Sequence, residues 1–297
     1  MKTACYAIRM RVCRSLVLLL FAVYPALPQK NLFFEGFEKK LQPQWHYGIN
    51  GDKDPLRIKN DPKAIEDAGL VRIVDNPVRA GRHSIRFEVP RRLGSFRSEI
   101  AMSGVPLFSD YWYGFSIFIP EDWIDDPQDG DIVAQWHGSA GEDKKQFKVE
   151  GDGKGRPPVA LSLNGSNWRV SVNSSSAVVK DAKDWDKYES KREQFPLGRF
   201  RKGAWTDWVF HMKWSYKEDG IIEVWQDGKP VLTHKGPNSY NDPKGPYFKI
   251  GIYHPAWKDL PSSKFNEQKL IIPKKVIYHD EIRVVEGGKY ADVAARP

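Results

Sequence analysis

Residues 132–138 read IVAQWHG, and the alternation within these seven letters decides the fold. Side chains alternate across a β-strand, so Gln135 and His137 fall on one face and Ile132, Ala134 and Trp136 on the other. The segment is expected to be a half-buried strand ending at Gly138, with an amide and an imidazole side by side on its polar face. Taken alone, that pair is two polar side chains on a wet surface, and the rest of the chain must say whether it is more.

The same pattern recurs on both sides. HSIRFEVP (83–90), YWYGFSIFIP (111–120), DIVAQWH (131–137), PVALSLNG (158–165) and NWRVSVNS (167–174) each read as strands bounded by Gly, Pro, Asn or Asp. DWVFHMKWSY (207–216), GIIEVWQDG (220–228), YFKIGIYH (247–254) and HDEIRVVEG (279–287) continue the series. LNGSNW reads as a hairpin turn, and Asp227-Gly228 sits where a tight turn belongs. Many short strands without intervening helices indicate an antiparallel sandwich or jelly roll. The polar stretch from Ser174 to Gly203, with AKDWDKYESKREQF in its middle, is expected to be a long excursion carrying a short helix. With no repeat and no linker, one domain is expected.

The first residues stand outside this pattern. Lys2, Arg9, Arg11 and Arg14 precede the apolar run SLVLLLFAVYPALP, which has the form of a secretory signal peptide over residues 1–28. The folded domain is then 29–297, secreted or periplasmic. Both cysteines, Cys5 and Cys13, lie in the leader, so the exported domain is expected to stand without disulfides. The formal charge of +8 includes the four basic leader residues, leaving +4 on the domain. A basic exported protein without a nucleic-acid motif points to an acidic extracellular partner such as an anionic polysaccharide. No nucleic acid and no membrane partner after leader removal is expected, and the domain is expected to be a monomer. The 11 Trp and 12 Tyr would supply flat faces for sugar rings as well as a core.

Two further strands repeat the opening pattern. FRSEIAM puts Arg97 and Glu99 on one face, with Phe96, Ser98, Ile100 and Met102 opposite. YFKIGIY puts Tyr247, Lys249, Gly251 and Tyr253 on one face, with Phe248, Ile250 and Ile252 opposite. Side by side, the three strands would present Arg97, Glu99, Gln135, His137, Lys249 and Tyr253 on one sheet surface.

RSE, QWH and YFKIGIY, in this order, resemble the three signature strands of jelly-roll polysaccharide lyases, in the form that alginate lyases carry. FFEGFE, RAGRHSIRFEV, YWYGFSIFIPEDW, GAWTDWVFHMKWS, GIIEVWQDGKPV and PYFKIGIYHPAW are similar to segments of the heparin lyase I-like group. The resemblance implies a single concanavalin-like β-jelly-roll sandwich. It also implies cleavage of a uronic-acid polymer by β-elimination, giving unsaturated oligosaccharides. Glucuronan, alginate and heparin or heparan sulfate all supply the uronate.

The chemistry accounts for the residue types. The proton on carbon five is weakly acidic until the adjacent carboxylate is neutralised, a task for Gln135 and Arg97. His137 would serve as base and Tyr253 as the acid at the leaving oxygen. By resemblance, Tyr253 could instead make both proton transfers while His137 helps to neutralise the carboxylate. Lys249, Glu99, Tyr247, His254 and Trp257 would line the substrate track, with Glu99 orienting Arg97. His211 is expected to be structural. No cofactor and no catalytic metal is expected. The acidic run DDPQDGD (125–131) is expected to be solvated, with structural calcium as an option. Arg91-Arg92 and Lys144-Lys145 are local basic clusters that could meet sulfate.

Two other functions compete. A retaining glycosidase would need carboxylates at alternate positions of one strand, and no E-x-D-x-E run is present. A non-catalytic carbohydrate-binding jelly roll would use the same fold and aromatics with no need for His137 and Tyr253 to converge.

Overall fold

Alternation becomes strand structure at each segment named above. The structure is a computed structural model that describes residues 32–49, 61–92, 94–126, 130–138, 156–178, 191–242, 245–258 and 272–296. The leader, Lys144-Lys145 and residues 127–129 of the acidic run lie outside the described residues. In chain order the strands begin with β1 (Phe33–Glu35), β2 (His46–Ile49), β3 (Val71–Val74) and β4 (Ser84–Pro90). They continue with β5 (Arg97–Gly104), β6 (Asp110–Ile119), β7 (Gly130–Gly138) and β8 (Val159–Asn164). Next come β9 (Asn167–Val178), β10 (Lys191–Arg199), β11 (Ala204–Lys213) and β12 (Ile221–Gln226). The last are β13 (Lys229–Lys235), β14 (Tyr240–Asn241), β15 (Pro246–Tyr253) and β16 (Lys274–Glu286).

They form the two antiparallel layers of a jelly-roll sandwich. One sheet has the order β13-β12-β11-β6-β16-β4-β3, with β1 added on β16. The other has the order β10-β9-β8-β7-β15-β5-β2, with β14 beside β9. The strands of the opening motifs, β7, β15 and β5, are therefore consecutive neighbours. Among the described residues, helix is limited to α1 (Pro62–Asp67), α2 (Tyr290–Val293) and a 3-10 turn at Pro255–Trp257. None of these helices is long and apolar enough to cross a membrane.

The core lies between the layers. Trp136 is fully buried and packs against Phe248 of its own sheet at 5.0 Å and Phe210 and Tyr113 of the other at 4.9 and 5.1 Å. Ile100, Ile250 and Ile252 have no exposed surface, as the alternation requires. Asp227 and Gly228 have φ of 48° and 79°, a pair that a tight two-residue hairpin between β12 and β13 demands.

Three expectations need correction. The end of the Ser174–Gly203 stretch is not a helical excursion: Lys191–Arg199 pairs antiparallel with β9 as the edge strand β10. Its charged residues are those of a solvated edge, and Pro196 is tolerated there because one side of the strand has no ladder to feed. Strand parity also fails at Ile132. The pairing of β7 with β8 shifts between Ile132 and Ala134, which places Val133 in the core at 1 % exposure and leaves Ile132 partly exposed. A bulge inserts one residue and reverses the alternation beyond it.

That bulge sends Asp131 inward. Its carboxylate lies 2.8 Å from His254 Nδ1 and 3.0 Å from Nζ of Lys275, which belongs to the opposite sheet. Asp131 is thus buried, against the expectation of a solvated acidic run. Burial raises its carboxyl pKa, but the His254 bond and the Lys275 charge outweigh it, and the net direction is down.

Candidate active site

Register brings the three polar pairs together. Lys249 is opposite Gln135 on one side and Ala101 on the other, and Gly251 is opposite Glu99. Glu99 accepts from Gln135 Nε2 and from Lys249 Nζ, each at 2.5 Å. The three side chains are 2–5 % exposed, so each depends on the others for its hydrogen bonds. Glu99 is the hub of this network. Its expected task of orienting Arg97 becomes, in these bonds, the orienting of Gln135 and Lys249.

Gly251 makes the close approach possible. Its φ is +132°, and a Cβ there would stand 2.2 Å from the Ser98 carbonyl oxygen and 2.6 Å from the Glu99 Cα. Only glycine lets β15 lie this near to β5.

Above the network stand partly exposed groups. His137 Nδ1 is 3.1 Å from the Gly138 carbonyl oxygen. A carbonyl can only accept, so Nδ1 carries the proton and Nε2 keeps a lone pair. Burial first, and then the Lys249 charge, push the His137 pKa down to about 4, with Arg97 adding in the same direction. His137 is therefore neutral at neutral pH. Burial likewise lowers the Lys249 pKa, against the pull of Glu99. Glu99 is the ion-pair partner of Lys249, and Arg97 adds a guanidinium to the same face. Such a site can receive an anion, accept a proton at His137 Nε2 and donate hydrogen bonds from an amide held in place by a carboxylate.

The expected residues are not all in one place. The ring opposite His137 is Tyr247, with centroids 5.6 Å apart. Tyr253 is opposite Ile132 and Arg97 and packs edge-on against Phe96 at 5.9 Å. Arg97 Nε donates to the Ile49 carbonyl oxygen at 3.2 Å. Two tyrosines thus share the polar face, and the one beside the histidine is the first.

His254 and Trp257 do not line the track. His254 has no exposed surface and Trp257 is 2 % exposed, their rings in edge contact at 4.5 Å. The chain leaves β15 straight into the 3-10 turn, and Asp131 holds His254 inside. His211 lies in the other sheet, between Glu223 at 2.7 Å and Asp110 at 3.1 Å, and stacks on Trp112. Sequence reasoning missed the Asp131–His254–Lys275 cluster, since its only signal was a bulge that no composition rule marks. Among the described residues, no group of three or more His, Cys, Asp or Glu is placed to hold a metal ion.

One protein of known structure shares this architecture. An endo-β-1,4-glucuronan lyase from the fungus Trichoderma reesei superposes with a TM-score of 0.64 at 19 % identity, covering 86 % of this chain and 98 % of that one. The marine alginate lyase from Aplysia kurodai gives 0.49 at 10 % identity, over 73 % of this chain and 87 % of that one. The alginate lyase AlyC3 gives 0.48 at 13 % identity, over 81 % and 89 %. No curated protein matches the chain. The sequence profile of the polysaccharide lyase family matches residues 38–283, nearly the whole described fold. The chain belongs to the polysaccharide lyase family and is a carbon–oxygen lyase acting on polysaccharides.

Proposed function

We propose that this protein cleaves a uronic-acid polysaccharide by β-elimination on the polar face of β5, β7 and β15. The observation that carries the reading is the pairing of a neutral His137, its Nε2 lone pair available, with the buried Gln135–Glu99–Lys249 network beneath it. In the step proposed, His137 Nε2 takes the proton from carbon five of the uronate ring. The electron pair passes toward the carboxylate, where the second N–H of the Gln135 amide and the charges of Lys249 and Arg97 stabilise it. The bond from carbon four to the glycosidic oxygen then breaks, a double bond forms between carbons four and five, and a tyrosine hydroxyl protonates the leaving oxygen. A bound carboxylate also offsets the positive charges that depress His137, raising its basicity when substrate is present.

Tyr247 is the donor that the register favours, because its ring stands beside His137. Tyr253, beside Arg97, is the donor that the family resemblance favours. The domain is read as acting outside the cytoplasm after loss of its leader, on polymer that its positive charge attracts. Glucuronan is the first polymer to try, since one structural relative is named for it.

Ultraviolet absorbance during incubation with glucuronan, alginate and heparan sulfate tests the reading, because only elimination leaves a conjugated double bond. Tyr247→Phe should lose about a hundred- to ten-thousand-fold in turnover with polymer binding retained, and Tyr253→Phe far less. The reverse order would assign the acid to Tyr253. Polymer binding without any absorbance change would establish the non-catalytic carbohydrate-binding alternative.

A further inference from the structure

The polar face that carries His137 does not end at β7. Gln135 pairs with Ala160, Ala160 with Ser171 and Ser171 with Gln194, so one line of paired residues crosses β8 and β9 to the edge strand β10. Residues two apart on a strand share a face. Arg169, two before Ser171, and Arg192, two before Gln194, therefore share the face of Gln135 and His137. Arg169 is also in line with the other tyrosine: it pairs with Ser162, Ser162 with Ile132, and Ile132 with Tyr253. Arg156, just before β8, adds a third cation and is exposed, as Arg192 is.

On the sheet Arg169 is opposite Pro196 and Arg192 opposite Asn173, four residues further along β9, and the long side chains reach into one field. Burial and then the charges of Arg156 and Arg169 lower the pKa of Arg192. Burial raises the hydroxyl pKa of Tyr240, and Arg156 and Arg192 oppose it, so the tyrosine lies in the same field. Arg169 Nε is buried with no hydrogen-bond partner among the described residues. Among the described residues no carboxylate forms an ion pair with these three arginines, and like charges gathered on one face favour an anion that completes them. Strands are about 4.8 Å apart, which puts β9 about 10 Å and β10 about 14 Å from β7. A 1,4-linked uronan laid across the strands advances by roughly one strand spacing per sugar.

We propose that Arg156, Arg169 and Arg192 form an oxyanion subsite for the carboxylates or sulfates of sugars about two to three units from the ring cleaved at His137. The inference rests on the lyase reading and extends it. Such a subsite grips polymer that continues past the reacting ring, and it selects long anionic chains over short ones. Its contribution is electrostatic and weakens as the Debye length falls from about 10 Å at 0.1 M salt to about 3 Å at 1 M.

The test measures polyglucuronate binding by titration calorimetry on the full chain carrying His137→Ala, at several salt concentrations. Adding Arg169→Gln and Arg192→Gln should weaken binding about tenfold and flatten its salt dependence. Lys229→Gln with Lys235→Gln removes the same charge from exposed positions on β13 of the other sheet and should leave affinity within twofold. Thermal midpoints of all variants check folding. A parallel titration with heparan sulfate separates the sources: loss on both polymers assigns carboxylate, and loss on heparan sulfate alone assigns sulfate. Unchanged affinity and salt slope on both polymers in the arginine variant, with the wild type cleaving polymer, would overturn the subsite alone. A wild type that neither cleaves nor binds any uronan would overturn the lyase reading and the subsite with it.

Discussion

Replacing Glu99 by glutamine keeps the shape of the side chain and removes its charge. Lys249 Nζ then faces a neutral amide at the position where it had a carboxylate oxygen 2.5 Å away, and Gln135 loses a charged acceptor at the same distance. Lys249 is only 5 % exposed, so water cannot replace the lost partner. Removing one member of a buried ion pair costs roughly 3–5 kcal/mol, because the surviving charge stays desolvated. Lys249 already has a lowered pKa, and shedding its proton would moderate the loss toward the bottom of that range. Urea denaturation with the linear extrapolation reads the change. The double variant Glu99→Gln with Lys249→Met removes both charges, and it should lose about 2 kcal/mol less than the sum of the single variants. Turnover should fall in all three, since Gln135 is no longer held in one orientation. A Glu99→Gln protein within 1 kcal/mol of wild type, with additive single variants, would refute the network as the structural base of the site.

Three further outcomes follow from the same geometry. Trp136→Ala empties the centre of the aromatic core and should cost roughly 3–5 kcal/mol, while the neighbouring His137→Ala loses turnover with its thermal midpoint within a few degrees. Since His137 accepts a proton only when neutral and its pKa is about 4, kcat/KM should hold as pH falls from 7 to about 5 and drop near 4; an acid limb at 6.5 would contradict its desolvation. His279 is fully buried, with burial pushing its pKa down to about 3 from 6.5. The unfolded chain then binds a proton in that interval that the folded chain does not, so stability should fall as pH drops from about 6.5 toward 3. His279→Leu should flatten that slope in urea midpoints measured at pH 7 and pH 5.

Much of the fold was legible because burial writes itself into alternation. YFKIGIY gave the buried Phe248, Ile250 and Ile252 directly, and Asp227-Gly228 gave its turn by φ preference alone. β10 was hidden because an edge strand carries charges that composition assigns to loops. The site was legible as a face and not as a geometry. Which residue of β15 meets His137 depends on bulges at Val133 and near Gly251, and these shift register by one residue without changing the letters on either strand. The same bulge turned Asp131 inward and drew His254 off the surface. The arginine subsite depends on how β8, β9 and β10 continue the face of β7, which no local pattern in the letters shows.

The central claim is elimination at His137, and mass balance on a defined uronic-acid oligomer tests it most directly. Elimination only redistributes the atoms of the substrate, so the masses of the two fragments should sum to that of the oligomer, with the double bond on one of them. His137→Ala should yield neither fragment. Fragments from the wild type that together exceed the oligomer by one water would show hydrolysis and contradict the account.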